Sequence, residues 1–144
     1  MATNDYFNRL NGLWNNNNFG DLATVIISND DFENMEVLFW DVPILDENKK
    51  TITVTMLTKK HVLHMKVSSN TVNIERYRRA DCINLIKSLI REESAEGYLK
   101  TYKLIDIQIN FLNGKYITVP YPHHANATEK AEFKKLIAIL ETSL

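Results

Sequence analysis

A disulfide framework is out of reach for this chain, because its 144 residues include a single cysteine, Cys82. A lone thiol fits a reducing compartment. Glycine is scarce too, four residues in all. No Gly-rich loop can be assembled to cradle a phosphate, and G-x-x-x-x-G-K-[ST], G-x-G-x-x-G and G-x-S-x-G are all missing. Charge of one sign is not in excess either. Lys and Arg number 17 and Asp and Glu 18, a net charge of -1, which argues against broad, salt-driven nucleic-acid binding. No apolar run approaches the ~20 residues that a membrane helix needs. Met1-Ala2-Thr3-Asn4-Asp5 has neither the basic region nor the apolar core of a secretory signal. A cytoplasmic protein is expected, in which the sequon Asn126-Ala127-Thr128 has no consequence.

What is present is ordinary in amount and informative in order. Hydrophobic residues make up 44% and charged residues 24%, as in soluble globular proteins. The length suits one domain over residues 1–144 with a core of its own. The clearest pattern lies at Thr51 to Val67. Ile52, Val54 and Met56 alternate with Thr51, Thr53 and Thr55, the period of a half-buried strand. The short polar break Thr58-Lys59-Lys60 returns the chain as His61 to Val67, antiparallel beside the first run.

Around this pair the chain reads as follows. Residues 3–14 form a short amphipathic helix with Phe7, Leu10, Leu13 and Trp14 on one face, ended by Asn15 to Asn18, so that 1–20 is a helix and an Asn-rich turn. Leu22 to Ser28 is a strand, with a helix as the alternative, and Phe32 to Glu36 a helical turn. Val37 to Trp40 is a dense apolar strand, which Pro43 makes an edge strand, bulged, or interrupted there. Thr71 to Tyr77 is a further strand. After Asp81, the residues Cys82, Leu85, Ile86, Leu89 and Ile90 fall at i, i+3, i+4, i+7 and i+8, which predicts a helical insertion near 81–95 closed by Gly97.

Leu104 to Phe111 is a strand whose turn can be settled by register. A two-residue loop would set Ile109 against Thr118 and mix the faces. A three-residue loop over Leu112, Asn113 and Gly114 pairs Ile109 with Ile117 and Ile107 with Val119, and puts Gly114 at positive φ. Residues 21–121 thus make a β layer. A terminal helix follows in 126–144, with Phe133, Leu136, Ile137, Leu140 and Leu144 in one stripe and a capping box between Asn126 and Glu129. The fold class expected is α+β, mainly antiparallel β.

Leu57-Thr58-Lys59-Lys60-His61-Val62-Leu63 resembles the leucine-threonine-x-x-arginine-leucine turn of bacterial pleckstrin-homology-like (PH-like) domains. The likeness extends over Glu36 to Leu140 and includes the hairpin Leu104 to Tyr121 before the last helix. It implies a partly open barrel capped by the C-terminal helix. Lipid-binding members carry Lys-x(n)-Lys/Arg-x-Arg across the first strand pair. Here Lys49 and Lys50 run into Thr51-Ile52-Thr53-Val54 without an arginine, which argues against lipid binding.

No catalytic constellation is recognisable and no cofactor is implied. His61 and His64 are three apart, which on a strand turns them to opposite faces and away from a shared metal. Whether they converge with His123 and His124 is a question for the tertiary structure. Cys82, on an apolar stripe, reads as an inert core thiol. The expected function is interaction through a sheet edge or inter-strand loops, with a protein partner or a second copy. Its candidate contacts are Arg76, Arg78, Arg79, Lys59, Lys60, Phe39 and Trp40. Two readings stand beside it: an enzyme whose histidines meet only in space, and anion or nucleic-acid binding by the cluster Arg76-Tyr77-Arg78-Arg79.

Overall fold

The hairpin of Ile52–Thr58 and His61–Val67 lies at the centre of a four-stranded sheet. A computed structural model describes residues 6, 8–10, 12–13, 33–41, 51–68, 71–93, 100–123 and 125–143. Within them β1 (Met35–Asp41), β2 (Ile52–Thr58), β3 (His61–Val67) and β4 (Val72–Arg78) form an antiparallel meander in the order 1-2-3-4. A 3-10 turn, Arg79–Asp81, leads to β5 (Cys82–Glu93), β6 (Lys100–Phe111) and β7 (Tyr116–Pro120), a second antiparallel sheet in the order 5-6-7. The helix Ala127–Ser143 ends the chain. Among the described residues the architecture is α+β with two sheets and no closed barrel. The strand expected over Leu22 to Ser28 lies outside the described residues.

The first sheet is covered on both faces, not one. Ile52, Val54, Met56, Leu63, Met65 and Val67 pack with Leu38 under Tyr6, Leu10 and Leu13 of the N-terminal helical segment. The opposite face puts Val37, Phe39, Leu57 and Val62 against Ile107, Ile109 and Phe111 of the second sheet and Phe133, Leu136 and Leu140 of the terminal helix. Of the threonines that the alternation assigned to solvent, Thr51 is exposed and Thr53 half-buried, but Thr55 is buried, as is Thr58 of the polar break. Thr55 is 1% exposed, its hydroxyl 3.1 Å from His64 Nδ1, and Thr58 turns its hydroxyl into the β2–β3 connection. A hydroxyl can be buried where it finds a partner within the sheet.

The hairpins close as their chemistry requires. β6 and β7 pair Ile109 with Ile117 and Ile107 with Val119, and Gly114 adopts φ 78°. That left-handed conformation costs glycine little. At the terminal helix, Asn126 Oδ1 accepts from the backbone N–H groups of Thr128 and Glu129 at 3.0 and 3.2 Å. Only half of the expected capping box forms, because the Glu129 side chain turns to Arg9 instead.

The helical insertion near 81–95 is absent; Cys82–Glu93 is a strand. A helix there would have presented an apolar stripe to no core. As β5 the segment is laddered along its length to β6, and the β-branched Ile83, Ile86 and Ile90 favour that state. A bulge at Ile83 explains the misleading spacing. It lets Cys82 and Leu85, three residues apart, face the same core. The remaining apolar residues stay half in water: Ile83, Ile86, Leu89 and Ile90 are 47, 51, 54 and 49% exposed.

Candidate functional site

The turn Lys59-Lys60 is held by its neighbours on three sides. Thr58 Oγ1 accepts from the N–H of His61 at 2.9 Å and of Lys60 at 3.3 Å. The N–H of Lys59 donates to Asn34 O at 3.0 Å, and Lys60 O accepts from the N–H of Arg79 at 2.8 Å. The backbone is thus fixed while both lysine side chains reach solvent. Arg79, on the 3-10 turn, extends in the opposite sense. Its Nη1 donates to Glu36 Oε2 at 2.8 Å and to Thr58 O at 3.2 Å, and its Nη2 reaches Ser143 Oγ at 3.5 Å. Arg79 therefore ties the β2–β3 turn to the end of the terminal helix, where a cation also meets the negative pole of the helix dipole.

Between these elements lies a cavity of about 500 Å³. Lys59, Lys60, His61, Arg78 and Arg79 line it, together with Cys82, Leu140 and Ser143. Glu36 neutralises Arg79, whereas no carboxylate among the described residues pairs with Lys59, Lys60 or Arg78. Three unneutralised cations facing one cavity create a local positive potential in a chain of net charge -1. Burial pushes the Cys82 thiol up, only partly offset by Arg79, so it stays protonated at neutral pH.

The structure divides the residues singled out from sequence. Lys59, Lys60, Arg78 and Arg79 come together. Arg76 sits opposite Leu63 on β4 and is not part of the cavity wall. Tyr77 turns inward and stacks on Phe111, ring centroids 4.5 Å apart, so it offers no platform for a base. Phe39 is 2% exposed and meets Phe133 edge-on at 5.5 Å, which removes it from any partner surface. Trp40 is half-buried beneath the Arg9 guanidinium, 5.0 Å from its ring centroid. The contributions of His61, Cys82, Leu140 and Ser143 were not foreseen. Ser143 lies 64 residues from Arg79, and no local signal joins them.

The described histidines are separate. His61 lines the cleft, His64 borders a second cavity of about 320 Å³ with Lys66, Glu75 and Thr118, and His123 packs edge-on against Tyr121. Among the described residues no group of three His, Cys, Asp or Glu could hold a metal ion. Nor is any helix there long and apolar enough to cross a membrane.

His64 is 3% exposed, and burial lowers its pKa from 6.5 to about 4, the nearby Glu75 opposing the shift. A depressed imidazole pKa means that the unfolded chain takes up the proton first. Stability is then complete above pH 6.5 and falls as pH drops toward 4. A loss of about 2 kcal/mol is expected between pH 7 and pH 5. Urea titrations of the wild type and His64→Gln should show that slope in the first and not in the second; equal slopes would remove His64 as its source.

Set beside protein-family models, curated proteins and solved structures, the chain matches none of them.

Proposed function

We propose that the chain is a non-catalytic binding module of PH-like architecture, whose inter-strand turns hold an anionic group presented by a protein partner. Support for the architecture comes from the order of elements: four antiparallel strands, three more, then one helix. Support for the ligand comes from one observation. Lys59 and Lys60 from the β2–β3 turn and Arg78 from the end of β4 reach the same cavity, with no carboxylate among the described residues to neutralise them.

A guanidinium and two ammonium groups suit a carboxylate cluster or a phosphate on a side chain. The fixed backbone of the turn limits the entropy lost on binding, since only side chains must be ordered. Arg79 is the positioning residue here, because three of its donors already serve Glu36, Thr58 and Ser143.

Calorimetric titration with a phosphoserine-containing acidic peptide tests the reading. Lys59→Glu with Lys60→Glu should weaken binding at least tenfold, since each charge-assisted bond contributes about 1.5–3 kcal/mol. Raising the salt should weaken the wild type and leave the variant little changed. Absence of binding by the wild type at low salt would reject the proposal.

A further inference from the structure

Among the described residues four strand edges end the two sheets, and three of them are protected. At β1 the outward carbonyls are occupied: Tyr6 OH donates to Glu36 O at 2.8 Å and Arg9 Nη2 to Leu38 O at 3.1 Å. β4 carries the exposed charges Glu75, Arg76 and Arg78. β7 has five residues and ends in Pro120. Charges, prolines, short length and covering elements are the ordinary means by which proteins blunt an edge. β5 is the least blunted: beyond the bulge at Ile83 its middle, Asn84 to Ile90, carries the single charge Lys87, the others standing at its end in Arg91, Glu92 and Glu93. It is 12 residues long, its outer edge is unpaired among the described residues, and it exposes Ile83, Ile86, Leu89 and Ile90.

We propose that β5 is a self-association edge. A second copy of this chain adds its own β5 antiparallel across a two-fold axis at Ser88, and two three-stranded sheets become one of six. The inference is independent of the anionic cleft.

The occupant is argued from self-complementarity. Across a two-fold axis normal to the sheet, opposed residues lie on the same face, so the axis must pass through a residue rather than between two. Centred on Lys87, it would set that lysine against itself. Centred on Leu89, it would set Lys87 against Arg91. Centred on Ser88, it sets Ile86 against Ile90 twice, places Asn84 opposite Glu92, and opposes no like charges. Directly opposed aliphatic pairs are the unit by which sheets are stabilised, and opposed like charges the unit by which they are destabilised. The ladder to β6 is regular from Asn84 to Ser88 and shifts between Ser88 and Leu89, but the extra residue there is Ile105 of β6, so β5 itself keeps its alternation through this centre. Lys87 is already engaged by Glu141 at 2.5 Å on the helix-side face, leaving Ile86 and Ile90 together on the other. Backbone donors and acceptors on the free edge supply the remaining affinity.

Sedimentation equilibrium on the full chain tests this, with the wild type expected to be a dimer. Ile86→Lys with Ile90→Lys should be a monomer with an unchanged circular dichroism spectrum, since both side chains are half exposed. The register is read separately by cross-linking in a Cys82→Ala background. Directly opposed residues of an antiparallel pair have Cα atoms about 4.5–5.5 Å apart, within the span of a disulfide. Ser88→Cys should therefore form a disulfide-linked dimer at least tenfold faster than Asn84→Cys, whose opposite residue is Glu92. A wild type that stays monomeric overturns the proposal, and so does equal cross-linking at the two positions. Either result leaves peptide binding at the cleft unaffected, so the two ideas fail separately.

Discussion

Replacing Arg9 with methionine is expected to destabilise the protein by about 3–5 kcal/mol, the usual cost of removing one partner from a buried ion pair. Arg9 bonds to Glu129 and lies 3.6 Å from Glu132, donates to Leu38 O, and sits over the rings of Trp40 and Tyr6. It thereby joins the N-terminal helical segment, β1 and the terminal helix. Glu129 is only 1% exposed, and among the described residues its Oε2 has no hydrogen-bond partner. Without Arg9 its carboxylate would be desolvated and uncompensated. The double variant Arg9→Met with Glu129→Leu removes both charges and should regain most of the loss, because an apolar pair of similar volume often equals a buried ion pair. Urea denaturation of the four proteins measures the coupling. A single-variant cost below about 1 kcal/mol would show that this pair is not what holds the segments together.

Phe133→Ala should cost a similar amount, about 3–5 kcal/mol, as for other fully buried phenylalanines. Phe133 is 0% exposed and lies edge-on to both Phe39, at 5.5 Å, and Tyr121, at 5.2 Å. It anchors the helix to β1 and to the segment after β7. The effect should reach function as well. The same helix carries Leu140 and Ser143 to the wall of the cleft, so a helix that loses its anchor loosens Arg79 and the turn beside it. Phe133→Leu keeps most of the volume and should cost less than half as much. If the alanine variant melts with the wild type, the two-sided packing of β1 has been misjudged.

Parts of this arrangement rest on contacts within a few residues, and those were open to inspection in the sequence. The β2–β3 pair follows from alternation on either side of a short polar turn. The β6–β7 register follows because only one loop length keeps Ile107 and Ile109 opposite apolar partners. Asn126 begins the last helix because its side chain replaces missing backbone acceptors. In the proposed cleft, Lys59 with Lys60 and Arg78 with Arg79 could be suspected as two charged clusters, but not as one.

Their meeting depends on the β3–β4 pairing, which sets His61 opposite Arg78, and on the helix end brought there by Phe133 and Leu136. Local composition alone therefore determined the strand-rich body, two of its turns and the start of its last helix. Tertiary contacts decided that Cys82–Glu93 is extended and that Thr55 and Phe39 are buried. They also decided which cations share a cavity. The physical reason is range: alternation and capping act over two to four residues, whereas a ladder partner or a covering helix arrives from tens of residues away.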